Sequence, residues 1–208
     1  MKRKLKSFIL LLILFTLFLI IIINSYASSV FEDLSENFFR LHILANSDSD
    51  SDQNLKLKVR DSVIEYMKNL TQNVSSKSEA ISICYNHLSD FEKIAEDTIE
   101  KEGFNYDVSL SIGNFYFPTK YYENISLPAG NYDALKIEIG EAKGQNWWCS
   151  LFPPLCFVDM SSGTLNNESQ DLLKENLSEE DFAIITSDSG DIHLKFKIIE
   201  FLNNKNIL

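Results

Sequence analysis

The sequence predicts an α+β fold: a β-α-α-β-β-β core with a mainly antiparallel sheet, helices on one face, and a helix/strand extension at the C-terminus. Three observations predict it. A short alternating segment near Phe39 is followed by two stretches of helical periodicity; these precede three stretches with the period of two; and polar or Gly/Pro-containing turns separate them.

Each element rests on particular residues. Phe39, Leu41, Ile43 and Ala45 alternate with Arg40, His42 and Leu44, as in a half-buried strand. The polar run Asn46 to Asp52 is a loop, and its end reads as a helix start with Asp50 as cap and Gln53 three residues later. Leu55, Val59, Val63, Met67 and Leu70 form one helical stripe. A second helix is expected from Ser78 to Glu102, with the stripe Ile81, Cys84, Leu88, Phe91, Ala95 and Ile99, stopped by Gly103.

Phe104, Tyr106, Val108, Leu110 and Ile112 then alternate with polar residues, and Gly113-Asn114 stands where a two-residue hairpin turn belongs. The next strand, Phe115 to Tyr122, contains Pro118 and is expected at an edge. Pro128-Ala129-Gly130 is a turn, and Leu135, Ile137 and Ile139 mark another strand. Gly140 and Gly144 frame a charged turn, after which the aromatic, cysteine- and proline-bearing stretch 147–157 departs from the pattern. Residues 160–167 read as a short linker, Glu168 to Asn176 as a helix, and a further short helix starts near Ser178. Ile192, Leu194, Phe196 and Ile198 suggest a last strand.

The N-terminus has the three parts of an export signal. Lys2, Arg3, Lys4 and Lys6 precede an apolar run from Phe8 to Ile23, and small residues flank a cut after Ala27. The 16-residue run reaches about 24 Å as a helix, short of the roughly 30 Å of a bilayer core. Residues 1–27 are therefore expected to be a signal peptide or an uncleaved N-terminal membrane anchor, with 28–208 a single exported domain. That domain carries 15 basic and 30 acidic residues, a net charge of −15. Such a charge disfavours nucleic acid and anionic lipid, leaving membrane contact to the N-terminal segment.

Little in the sequence proposes catalysis. Asp48, Asp50 and Asp52 are spaced like the start of a calcium loop, but Gln53 and Val59 stand where its glycine and bidentate glutamate belong. A solvated turn favouring the helix N-terminus is the plainer reading. His42 and His193 fall on the polar phase of their strands, and His87 flanks a core stripe. No nucleophile elbow, zinc motif or phosphate loop is present. No catalytic residue, metal ligand or cofactor is assigned.

The three cysteines leave one pair and one spare, or no pair. Only Cys149 and Cys156 are close in sequence; if they pair, Cys84 is the spare, and its place on an apolar helical face reads as a buried, inert thiol. Two prolines between them favour a rigid loop. Trp147, Trp148, Phe152, Pro153 and Pro154 are candidate partner-binding residues on that loop, since tryptophan is enriched at hot spots. The bland alternative has Trp147, Phe152 and Phe157 filling space beneath the sheet.

These residues carry a resemblance. Arg40-Leu41-His42-Ile43-Leu44-Ala45-Asn46-Ser47-Asp48-Ser49, Asp52-Gln53 and Leu57-Lys58-Val59-Arg60-Asp61 resemble the opening motif of the stage II sporulation protein R family. Phe117-Pro118-Thr119-Lys120 and Leu127-Pro128-Ala129-Gly130, then Tyr132 with Ala134-Leu135, are similar to its middle. Gly140-Glu141, Asn146-Trp147-Trp148-Cys149 and Leu151-Phe152-Pro153-Pro154-Leu155-Cys156-Phe157-Val158-Asp159 resemble its most distinctive block. The likeness runs over residues 38–160 and less fully through Lys195-Phe196-Lys197.

The resemblance implies a signalling protein of endospore formers, exported from the forespore into the space between two membranes. There it would activate a membrane-embedded aspartic protease, its protein partner, which cleaves the precursor of sigma factor E in the mother cell. The family brings no established catalytic residues and no mapped binding surface. An exported hydrolase with a site assembled from distant Cys and His residues is the alternative, as is a calcium-binding or structural wall-side protein.

Overall fold

The computed structural model describes residues 2–72, 74–122, 125–156 and 167–186. Along the chain these form α1 (Lys2–Asn37), β1 (Phe39–Leu44), α2 (Asp50–Leu70), α3 (Lys77–Asn86), α4 (Leu88–Lys101), β2 (Val108–Phe117), β3 (Lys120–Tyr122), β4 (Ile125–Leu127), β5 (Gly130–Ile139), β6 (Asn146–Phe152), α5 (Asn167–Asn176) and α6 (Glu179–Thr186). Residues 160–166 of the expected linker, and the strand expected at Ile192 to Ile198 with His193, lie outside the described residues.

The fold is α+β, as the periodicities predict. Four strands hydrogen-bond in the order β2-β5-β1-β6, and β3 and β4 form a separate pair. Pairing is antiparallel except between β1 and β5, which run parallel. The stripe of α2 (Leu55, Val59, Val63, Met67), Ala80 and Cys84 of α3, and Phe91, Ala95 and Ile99 of α4 bury against Leu41, Ile43, Leu135 and Ile137 of the sheet. Each of the Leu, Ile, Val, Met and Phe side chains among them contributes about 1.5–3 kcal/mol when fully removed from water.

The other sheet face carries a second cluster. Leu34 and Phe38, from the end of α1 and just beyond it, meet Phe117, Leu127, Tyr132, Leu173 and Ile185 there. Strand β1 is consequently buried on both faces, Arg40 and His42 included, where alternation alone had put those two on a wet side.

Four local expectations are corrected. Gly113-Asn114 is no turn: β2 runs straight through it, pairing Gly113 with Ala134 and Asn114 with Asp133. The glycine instead leaves room for the Phe115 ring, which a Cβ would meet at 3.3 Å. The strand expected over Phe115 to Tyr122 is divided at Pro118-Thr119, its second part belonging to the β3–β4 hairpin. The helix cap is Ser49 rather than Asp50, its hydroxyl accepting from Asp52 N. The helix expected from Ser78 to Glu102 breaks at His87, which lets α3 reach β1 and β6 while α4 packs on α2 and β2. It does end at Gly103, whose φ of 85° is the left-handed conformation that glycine adopts without penalty.

Helix α1 begins in the apolar run. Lys4–Ile23 is long and apolar enough to cross a membrane, with mean hydropathy 2.9 and none of it buried against the protein. That is compatible with a signal peptide or an anchor. The last turns do pack: Phe31 meets Tyr132 edge-on at 5.3 Å. Gly130, which opens β5, has no Cβ because the Phe31 ring occupies that space.

Candidate functional site

The stretch from Asn146 to Cys156 begins as an edge strand. Antiparallel pairing sets Trp147 opposite Ile43, Trp148 opposite His42, Cys149 opposite Leu41 and Ser150 opposite Arg40. Successive side chains of a strand point to opposite faces. Trp147, Cys149 and Leu151 accordingly join the helix-side cluster, and Trp148 joins the opposite one.

The strand is then closed into a tight turn. Cys149 and Cys156 are disulfide-bonded, with Cα atoms 5.3 Å apart, and Cys84 remains a free, buried thiol. Ser150 O accepts from both Leu155 N (3.0 Å) and Cys156 N (3.1 Å). The Phe152-Pro153 peptide is cis. Of the candidate docking residues, Phe152 is only 3% exposed and Pro153 is buried. These two fill the interior and have no surface to offer. Trp147, Trp148 and Pro154 are half-buried, so the candidate contact set narrows to them.

Trp148 is held by aromatic neighbours. Its ring stacks on His42 at 3.7 Å and meets the edge of Phe117 at 4.7 Å. His42 Nε2 donates to Asn146 Oδ1 at 2.6 Å, which leaves Nδ1 buried and unpartnered among the described residues. Burial holds the imidazole below its usual titration range, the Asn146 hydrogen bond opposing and Lys136 and Glu138 pulling in opposite directions. His42 is thus a neutral ring at neutral pH.

Arg40 lies beneath this platform, fully buried. Its Nε donates to Cys149 O (2.8 Å) and its Nη2 to Tyr122 OH (2.9 Å), which in turn donates to Trp148 O (3.3 Å). The guanidinium also lies 4.5 Å from the Phe117 ring and 4.9 Å from that of Tyr132. It ties β1, the bridged turn and β3 together. Sequence reasoning missed it; the signal was the apolar doublets Phe38-Phe39 and Leu44-Ala45, which mark a strand covered on both sides.

The remaining candidates are placed as follows. Asp52 accepts from Asn46 Nδ2 (2.9 Å), Ser47 Oγ and Tyr106 OH (3.1 Å), and Asp48 accepts from Gln145 N (2.8 Å). These carboxylates tie the loop to its surroundings. Hydrogen bonds, that from Ser47 foremost, hold Asp52 below its ordinary titration range against the opposing effect of burial. The Cys149 sulfur is committed to its bridge, and burial pushes the Cys84 thiol up to about 12. Neither is poised as a nucleophile. Among the described residues no three His, Cys, Asp or Glu side chains gather as a metal site.

The geometry defines an α+β domain behind an apolar N-terminal helix, with an aromatic edge strand closed by a disulfide. Comparison supplies the family: the model described as Stage II sporulation protein R matches residues 35–162, more than half of the chain, and the chain belongs to that family. The Stage II sporulation protein R of Bacillus subtilis (strain 168) is 44% identical over 138 residues, 66% of this chain. The match spans 62% of that relative's length. No solved structure matches. A role in sporulation follows, in a family whose name gives a stage of sporulation and not an enzyme activity.

Proposed function

We propose that this protein is an exported signal of sporulation. It leaves the forespore by its N-terminal segment and acts in the space between the two membranes. There it activates a membrane-embedded aspartic protease in the neighbouring mother-cell membrane, which then processes the precursor of sigma factor E. The observation that carries this reading is the family match over residues 35–162. The rigid, partly exposed pair Trp147 and Trp148, fixed by the Cys149–Cys156 bridge, supports a role in contact with a protein partner.

The test is made in the native host. Removing the protein is expected to leave the precursor uncleaved on an immunoblot, and normal processing would overturn the signalling role. Trp147→Ala, Trp148→Ala and Pro154→Ala, exported at normal levels, are expected to reduce processing at least severalfold. If all three process normally, the contact surface lies elsewhere.

A further inference from the structure

Two nitrogen donors at the seam between α2 and β6 have nothing to donate to among the described residues. Arg60 Nη1 and Trp147 Nε1 are both buried and unpartnered. They lie together, the Arg60 guanidinium carbon standing 4.3 Å from the centre of the Trp147 ring. Asp61 takes one edge of the guanidinium, accepting from Nε at 2.7 Å, and Nη1 is left over.

Lys56, one turn earlier on α2, adds an ammonium to the same place. It donates to Gln53 Oε1 (2.6 Å) and to the carbonyl of Gln145 (2.9 Å), both neutral. Burial lowers its titration range first, and the charge of Arg60 lowers it further, against the weaker pull of Asp48. Two cations and an indole N–H thus meet here, Asp61 pairing with Arg60 and Asp48 acting on Lys56 through its charge alone. A buried donor whose hydrogen bond is unmade forfeits its hydration with nothing in return, so two at one spot are a standing cost. Lys56 and Arg60 retain 4% and 6% exposure, which puts the cluster at the rim of the fold.

We propose that Lys56, Arg60 and Trp147 form a carboxylate-binding site, which takes an acidic group of the protein partner. Two free N–H groups match the two oxygens of a carboxylate, and the ammonium supplies the balancing charge. A phosphate, with more oxygens to satisfy, is the poorer match. The inference deepens the docking reading of Trp147 and rests on it for the identity of the partner, while the binding chemistry stands on the seam alone.

The test uses the full chain in detergent micelles, labelled so that the indole N–H of each of its two tryptophans gives one NMR signal. Trp147→Phe assigns them. N-acetyl-glutamate amide presents a side-chain carboxylate, N-acetyl-alanine a terminal one, and inorganic phosphate is the third probe. Saturable movement of the Trp147 signal is expected with a carboxylate probe, at a Kd of about 1–10 mM for a few charge-assisted hydrogen bonds. The tighter of the two carboxylate probes identifies the source. The Trp148 signal stays in place. Lys56→Gln is expected to weaken binding about tenfold, and Arg60→Gln to abolish it. Should Arg60→Gln lose the folded spectrum, Lys56→Gln carries the decision. No saturable movement, or undiminished affinity in Lys56→Gln, overturns the site; tighter binding of phosphate overturns its assignment to carboxylates. Loss of binding here with normal Trp148-dependent processing in the host would remove this inference and leave the proposed function standing.

Discussion

Arg40 brings a full charge into the interior, where no carboxylate among the described residues pairs with it. Burying an unpaired charge is costly, and here two hydrogen bonds and the faces of Phe117 and Tyr132 offset part of the loss of water, Nη1 having no partner among the described residues. His42, its neighbour two residues on, solves the same problem by staying neutral. Its folded titration point is depressed below the ordinary 6.5, so the unfolded chain binds the proton more tightly than the folded one. Stability from this residue is complete above pH 6.5 and is lost as pH falls toward the depressed folded value. The melting temperature is expected to fall across that window, and His42→Gln to flatten this part of the curve. Parallel curves for the two proteins would refute the account.

At the scale of elements, β6 holds the candidate site through its pairing with β1 and the closed turn after it. A bridge over so short a loop contributes about 2–3 kcal/mol in the chain-entropy view. The double variant Cys149→Ala, Cys156→Ala is expected to melt roughly 5–10 °C lower, as a thermal scan would read. Precursor processing in the host is expected to fall with it, since Trp147 and Trp148 lose their fixed setting. An unchanged melting point would show that the Ser150 hydrogen bonds suffice. The break at His87 is also an element-scale effect. Cys84 and Phe91 are seven residues apart, compatible with one continuous stripe, so the period carries no sign of the change in direction.

At the scale of the molecule, α1 joins two environments. Its first part is bare and apolar, and its last turns are part of the core through Leu34 and the following Phe38. A cut after Ala27 would leave Phe31, Leu34 and Phe38 in the remaining domain. A chain beginning at Ser28 is therefore expected to keep the denaturant midpoint of the full chain, while Phe38→Ala loses about 3–5 kcal/mol. A lowered midpoint in the Ser28 chain would mean that the apolar helix itself stabilises the domain.

The sequence by itself determined the apolar N-terminal segment, the α+β class and the stripes of α2 and α4, and it marked Cys149 and Cys156 as the pair close enough to bridge, with Cys84 as the spare. These depend on local period, composition and short spacing, which the order of residues states directly. Only the tertiary structure decided the straight run of β2 through Gly113, the burial of Arg40 and His42, the strand hidden in Asn146–Phe152 and the meeting of Arg60 with Trp147. Each of these depends on what lies across the sheet from a residue. Lys56 and Arg60 stand outside the apolar stripe of α2, and only β6 laid beside them brings the unpartnered donors of Arg60 and Trp147 together.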